Sequence, residues 1–468
     1  MLAPHLDLKT GWYVVEWLIR LSALGVVPLR RSPAAAASWL LLIFFFPVGG
    51  LLLYLAIGRP AFSPVRERRW RAIRPFFQET AAAMERAGGC DGGAVAAFAR
   101  TLGRLPCVGG NAIELIDDYD GVIERLVADI DAAAVSVDLL VYIFADDRVG
   151  RQVAAALGRA TARGVRCRVV FDPVGSHAWR RGTLRLLATT GADVRLALPA
   201  HLLGRRGRAD MRNHRKLFVI DGRIGYAGSQ NLVAKDFRPG VVNRELVARV
   251  TGPAVAAMQA VIEGDWQVEG THAPDPASVA VPQATGTSRL QLLPSGADFP
   301  LEGFKDLLVW LLHRATSHAV LVTPYFVPDE DVVGAMRSAA ARGVIVDLVV
   351  SAVVDQRVVH LAQCSYFDEL LAAGVRIHRY RDYLLHAKNV AVDGEIGIVG
   401  SSNVDLRSFQ LNEEVSLLLY DAAEIERLAA IQAAYIAASD RVDLASWRAR
   451  PKLRRLPENL ARIMSPLL

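Results

Sequence analysis

His214-Arg-Lys-Leu-Phe-Val-Ile-Asp221, followed by Gly228-Ser-Gln-Asn231, recurs later in the chain as His386-Ala-Lys-Asn-Val-Ala-Val-Asp393 and Gly400-Ser-Ser-Asn403. The distance from each histidine to its Gly-Ser pair is the same in both copies, and each is trailed by a third match, Asn243-Arg-Glu245 and Asn412-Glu-Glu414. One such eight-residue pattern arises by chance in a chain of this size with odds of roughly a few per cent. A doubled set in register means duplication.

Working outward, the duplication extends over the whole body. Val135-Ser-Val-Asp-Leu-Leu-Val-Tyr-Ile-Phe144 parallels Ala319-Val-Leu-Val-Thr-Pro-Tyr-Phe326, and Ala162-Arg-Gly-Val165 parallels Ala341-Arg-Gly-Val344. Helical stretches precede each strand, at 121–134 and 301–317. Strands alternating with helices predict an α/β fold of two repeated, facing domains with parallel or mixed sheets.

Parity along a strand assigns roles. His214 and Lys216 stand two apart and share one face, as do His386 and Lys388. Asp221 and Asp393 complete the motif and count with its catalytic set. Their odd spacing and the glycine after each nevertheless read as turn and register residues. The returning strands bring Ser229 with Asn231, and Ser401 with Asn403, to the same neighbourhood as phosphate binders. Two such hairpins face to face supply what phosphodiester exchange requires. One imidazole attacks phosphorus, the other handles the leaving and entering hydroxyls, and two lysines meet the developing charge. Glu245 and Glu414 are the carboxylates placed to orient the histidines. This inventory calls for no cofactor and no metal. The other histidines, His5, His177, His201, His272, His313, His318, His360 and His378, read as surface or packing residues. Arg180, Arg181, Arg205, Arg206 and Arg208 read mostly as a solvated loop beside the first motif.

Charge and hydropathy locate the chain. Hydrophobic residues make up 52% of 468 residues, high for a soluble protein. The net charge of +6 sits at the ends: ten basic against three acidic residues in 1–75, and seven against two in 441–468. The body between carries an acidic surplus, which disfavours nucleic acid and suits a basic flank on anionic lipid. Ala34 to Ile57 runs 24 residues without a charge, about 36 Å as a helix, and reads as a membrane span kinked at Pro47. Gly11 to Leu29 is a second candidate, with Glu16 and Arg20 paired on one face. Six arginines between Arg59 and Arg74 follow, and the positive-inside rule places them and the body in the cytoplasm. The four cysteines, Cys90, Cys107, Cys167 and Cys364, show neither a disulfide framework nor zinc spacing. The expected organisation is an anchor at 1–60, a basic juxtamembrane linker at 61–110, and a first catalytic domain at 111–270. A linker at 271–289, a second catalytic domain at 290–440 and a basic tail at 441–468 complete it.

The paired HxKxxxxD and GSxN motifs resemble the signature of the phospholipase D superfamily. Around them, Thr323-Pro-Tyr-Phe-Val-Pro-Asp329, Asn403-Val-Asp-Leu-Arg-Ser-Phe409, Gly252-Pro253 and Asp265-Trp266 are similar to bacterial cardiolipin synthases over nearly the whole length. The resemblance implies an inner-membrane phosphatidyltransferase that joins two phosphatidylglycerol molecules and releases glycerol. It implies His214 and His386 as the catalytic pair, with His214 the nucleophile, and Lys216, Lys388, Asn231 and Asn403 as phosphate binders. A hydrolytic phospholipase D, or another phosphatidyltransferase of the superfamily, is the alternative. A nuclease is disfavoured by the charge layout.

Overall fold

The computed structural model describes residues 8–31, 33–58, 64–199, 210–270, 273, 275–296, 298, 299 and 301–464. Helices α1 (Leu8–Val26), α2 (Pro33–Phe45) and α3 (Pro47–Ile57) lead into α4 (Pro64–Gly88) and α5 (Gly93–Gly103). The first half then runs β1 (Val108–Ile116), α6 (Tyr119–Ala132), β2 (Ser136–Val141), α7 (Arg148–Ala162), β3 (Arg166–Phe171), α8 (Arg180–Ala188) and β4 (Asp193–Leu196). It closes with β5 (Leu217–Ile220), β6 (Ile224–Gly228), β7 (Asn243–Arg244), β8 (Val247–Thr251) and α9 (Val255–Glu269).

The second half repeats that plan. Its first part is β9 (Ser288–Ser295), α10 (Gly303–Arg314), β10 (His318–Val322), β11 (Phe326–Val327), α11 (Glu330–Ala341), β12 (Ile345–Ser351), α12 (Arg357–Ala372) and β13 (Arg376–Tyr380). Next come β14 (Leu384–Leu385), β15 (Asn389–Val392), β16 (Ile396–Gly400), β17 (Val404–Asp405), α13 (Leu406–Gln410), β18 (Glu414–Leu419) and α14 (Ala422–Ala437). Last are β19 (Ser439–Arg441), α15 (Leu444–Arg448) and α16 (Lys452–Met464).

Fifteen strands form one mixed sheet in the order β19-β13-β12-β10-β15-β16-β18-β9-β1-β8-β6-β5-β2-β3-β4. Outward from the central β9–β1 pair the halves mirror each other, as a duplication requires. In each, two parallel pairings (β2–β3 and β3–β4; β10–β12 and β12–β13) flank an antiparallel hairpin, β5–β6 or β15–β16. The motif residues Leu217–Ile220 and Asn389–Val392 are those hairpins' first strands. Their alternation is suppressed because both faces are covered, so each reads as a continuous apolar run.

The hairpin turns follow the Asp-Gly signal. Asp221 and Gly222 have φ of 52° and 61°, and Asp393 and Gly394 have 54° and 69°, the left-handed pair of a tight two-residue connection. The Asp221 carboxylate accepts bonds from the backbone N–H groups of Ala134, Val135 and Ser136 at 2.7–2.9 Å. Asp393 does the same for Thr316, Ser317 and His318. These aspartates pin the start of the neighbouring strand, so their place in a catalytic set is corrected: they fix register.

The apolar N-terminus differs from a single kinked span. Phe46 leaves the helical region and Pro47 restarts the helix, so the chain doubles back. Trp39 and Tyr54, ~22 Å apart on a straight helix, have ring centroids 5.3 Å apart. Gly50 permits the turn, since a Cβ there would lie 2.9 Å from the Ile43 Cα. Helix α1 packs on this hairpin around Ala23, Val27, Trp39 and Ile43, and Glu16 and Arg20 pair at 3.2 Å as the spacing predicts. Among the described residues no helix is long and apolar enough to cross a membrane. Residues 64–88, read as linker, are a helix whose Trp70, Ile73, Phe77 and Met84 are buried in the central core. The basic tail likewise folds, into β19, α15 and α16.

Cys90 and Cys107 form a disulfide between the end of α4 and β1, while Cys167 and Cys364 stay free and buried. The sequence reading had no disulfide. Wide spacing hid the pair, which becomes adjacent only when α5 folds over and the bridge Gly89–Val108 forms. Bonds of this kind persist in oxidising compartments. The positive-inside rule orients spanning helices, and a hairpin that doubles back deprives the cytoplasmic placement of that support. Alkylation of the denatured, unreduced protein should modify two cysteines, Cys167 and Cys364, and all four only after reduction. Four reactive thiols before reduction would contradict the bond.

Candidate active site

The cleft between the halves is built by strand ends. β5 and β15 begin just after the two His-x-Lys triplets, and the Gly-Ser-x-Asn segments leave β6 and β16 beside them. A cavity of about 330 Å³ lies there, with His214, His386, Asn231 and Asn403 in its wall. The two motifs thus share one site, as the facing-hairpin reading expects.

The wiring of the site crosses between halves. His214 Nδ1 lies 2.9 Å from Glu414 Oε1, and His386 Nδ1 lies 2.7 Å from Glu245 Oε1. Each imidazole is therefore held by the carboxylate of the opposite repeat. The backbone does the same: the His214 N–H donates to the Glu413 carbonyl and the His386 N–H to the Arg244 carbonyl, both at 2.8 Å. Short parallel bridges, Leu384–Asn243 with Leu385–Arg244 and Asn213–Glu413, run alongside. A carboxylate on Nδ1 requires that nitrogen to carry the proton, which leaves the Nε2 lone pair free.

Electrostatics agree with that tautomer. Burial is the largest influence and pushes both imidazoles down to about 4, against the pull of their carboxylates. Burial works to raise Glu414 and Glu245 as well, yet the adjoining histidines hold both below the ordinary value. At neutral pH both imidazoles are therefore neutral, each beside an ionised carboxylate. The lysines are desolvated too, chiefly by burial, to about 7 for Lys216 and about 8 for Lys388. Each ammonium donates to its own histidine's carbonyl, at 2.7 and 2.5 Å.

The remaining expected residues divide. Asn231 Oδ1 accepts from the Ile143 N–H at 3.0 Å, which fixes the amide so that its NH2 is available to the cavity it lines. Asn403 lines the opposite wall. The serines do not reach the cavity wall, which corrects their reading as phosphate binders. Ser401 Oγ donates to Glu414 Oε2 at 2.5 Å, and Ser229 Oγ bonds the Leu246 backbone. They steady the strands that carry the glutamates. Of the loop arginines, Arg180 and Arg181 are exposed at the start of α8, while Arg205, Arg206 and Arg208 lie outside the described residues. So do His5, His201 and His272, while His318 of β10 and His378 of β13 share Asp347 of β12 between them.

Several cleft residues escaped the sequence reading. Arg212, Arg238 and Arg407 add cationic groups to the cavity, and Tyr142 stands edge-on to His214 with centroids 4.8 Å apart. Arg212 carried a signal, because it shares strand parity with His214 and Lys216. Arg215 points the other way and is buried between Asp265 at 2.7 Å and Glu413 at 2.6 Å. Asp298 joins this group through its N–H to Glu413, and Arg66 of α4 bonds Asp298 at 2.8 Å and also Glu269. A chain of buried charges thus runs from α4 to the residue beside His214. Removing one member of such a group costs about 3–5 kcal/mol.

The family model described as "Cardiolipin synthase, PLD-like domain" matches residues 126–266 and 308–434, and one described as "Phospholipase_D-nuclease N-terminal" matches 18–59. The chain is 34% identical to a protein named cardiolipin synthase A from Salmonella arizonae, covering 98% of this chain and 100% of that one. The same figures hold for cardiolipin synthase A of Citrobacter koseri. Among solved structures, phosphatidylserine synthase of Haemophilus influenzae superposes with a TM-score of 0.53 at 14% identity, over 75% of this chain and 92% of that one. That likeness bears on the fold alone.

The crossed wiring has a kinetic signature. Glu414→Gln and Glu245→Gln should each lower kcat on the order of 10²–10⁴-fold, as loss of an imidazole-orienting carboxylate does. Each should copy the defect of the histidine in the opposite repeat, Glu414→Gln that of His214 and Glu245→Gln that of His386. Matching within a repeat would contradict the pairing. The pH profile follows from the lysines. Their charge is present below, and lost above, values near 7 and 8, so kcat/KM should fall as pH rises through that window. A flat profile up to ~10, the ordinary lysine value, would remove the lysines from charge stabilisation.

Proposed function

The chain belongs to the cardiolipin synthase family of phospholipase D-like proteins, and from that premise we propose that it makes cardiolipin from two molecules of phosphatidylglycerol. It is a phosphatidyltransferase acting on phospholipid, and its place is the bacterial inner membrane. The observation that carries the mechanism is the pair of histidines, one from each repeat, with Nδ1 held and Nε2 free in one cavity.

The reaction proceeds in two displacements. His214 Nε2 attacks the phosphorus of the donor lipid, and the bond from phosphorus to the headgroup glycerol oxygen breaks. His386 gives its proton to the departing alkoxide, so glycerol leaves neutral and a phosphatidyl-histidine remains. Held neutral by burial, His386 gains that proton when the phosphodiester anion enters, because a nearby negative charge favours the imidazolium. The terminal hydroxyl of a second phosphatidylglycerol then gives its proton to His386 and attacks phosphorus. The N–P bond breaks, restoring His214. Lys216, Lys388, Asn231 and Asn403 meet the charge on the non-bridging oxygens. A neutral attacking imidazole needs a lone pair at the working pH, and burial in this cleft supplies it.

Roles separate by leaving group. His214→Ala should lose all activity, on phosphatidylglycerol and on a nitrophenyl phosphodiester alike. His386→Ala should lose cardiolipin formation yet keep measurable nitrophenolate release, because that leaving group barely needs a proton. Radiolabelled phosphatidylglycerol with lipid separation, alongside a colorimetric assay, reads both. Near-normal cardiolipin and glycerol production by both variants would overturn the mechanism.

A further inference from the structure

The last helix of the chain is amphipathic in the wrong sense for a soluble protein. A surface helix normally turns its apolar stripe to the core and its charges to water. Helix α16 does the reverse. Its Leu453, Leu456, Leu460 and Ile463 recur at three- and four-residue spacing and are 84%, 61%, 53% and 51% exposed. Its inner side carries the ion pairs: Glu458 is buried against Arg450 at 2.8 Å, and Arg462 reaches Glu330 and Glu369, both at 3.1 Å. Those bonds fix α16 on α11 and α12 in that orientation.

The stripe continues into a second apolar surface. The Ile463 carbonyl accepts a bond from Ser38 Oγ of α2 at 3.1 Å, so α16 abuts the N-terminal helical unit. That unit exposes Trp12, Trp17, Leu41, Phe45, Phe46 and Leu52. Lys452 and Arg454 lie exposed at the head of α16. An exposed apolar stripe rimmed by basic side chains is the makeup of a helix that lies in the interfacial plane of an anionic bilayer.

We propose that α16 is a second membrane-docking element, which inserts Leu453, Leu456, Leu460 and Ile463 into the same leaflet that receives the N-terminal hairpin. The occupant of the stripe is lipid, because it is continuous with the apolar N-terminal surface and carries the charge that anionic headgroups attract. Docking has a consequence for the cleft. Helix α16 lies on α12, and Val359 of α12 and Gln356 just before it line the cavity. A docking surface widened from the N-terminal unit to α16 then holds the cleft's attitude to the leaflet, which the N-terminal unit alone leaves freer to swing.

The test uses the full-length chain, labelled with a polarity-sensitive fluorophore at Leu456→Cys or Leu460→Cys, where the native free cysteines are buried. The protein is reconstituted in vesicles of phosphatidylcholine and phosphatidylglycerol with or without brominated acyl chains. The proposal expects blue-shifted emission that bromolipid quenches at both positions, independently of catalysis. A label that stays in water overturns it. So does one shielded without quenching, as a second copy of the chain or its own C-terminus would shield it. A second arm replaces the stripe with Leu456→Asp/Leu460→Asp. Transfer from vesicle phosphatidylglycerol should fall about tenfold or more through weaker docking. Transfer from a short-chain, monomeric phosphatidylglycerol should stay within about twofold, because no interface is then involved. Equal loss on both substrates assigns the leucines to folding and overturns the proposal, as does no loss on either.

Discussion

Each motif imidazole is oriented by a carboxylate that arrives from the other repeat, and the rest of the structure is arranged to permit it. Glu414 on β18 serves His214, and Glu245 beside β7 serves His386. A single repeat therefore carries its histidine without the carboxylate that orients it. The central β9–β1 pairing, the bridges Leu384–Asn243 and Asn213–Glu413, and a core containing apolar residues of both halves all hold these two bonds in place. Duplication supplied the parts, and exchange of the glutamates across the interface made the pair one unit.

The halves are not interchangeable. Between His214 and Lys216 stands Arg215, buried among Asp265, Glu413 and, through them, Asp298 and Arg66; between His386 and Lys388 stands Ala387. The His214 side is thereby tied by charge to α4, the first helix after the apolar N-terminus. Burying so many charges is costly unless all are paired. Their arrangement joins α4 and the first histidine in one framework. Ala387 offers the His386 side no such link at the equivalent position.

Much of this was legible in the sequence because strand parity is a local property. The two-residue spacing of His and Lys, the Asp-Gly turns and the doubled motifs gave the hairpins, the α/β class and the shared cleft. Glu245 and Glu414 were identifiable as partners, since each follows its motif at a repeated position. Their exchange was not, because which repeat supplies which carboxylate is decided by packing between distant segments. The serines misled for a related reason: Ser229 and Ser401 share parity with the asparagines, yet Ser229 is bonded to the Leu246 backbone and Ser401 to the Val415 N–H and the Glu414 carboxylate. Hydropathy could not distinguish a span from a hairpin at Phe46-Pro47. A turn costs no charge and leaves the apolar count unchanged. Spacing also hid the Cys90–Cys107 bond, which closes over a helix.

The proposed mechanism requires a covalent phosphatidyl-histidine in a cleft whose two halves complete each other. The direct measurement is to mix the protein with phosphatidylglycerol, quench rapidly in alkali, which preserves a phosphorus–nitrogen bond, and map the modified peptide by mass spectrometry. The account predicts a single adduct, the phosphatidyl group or its deacylated remnant, on His214. An adduct on a carboxylate, or full turnover with no adduct on either histidine, would contradict it.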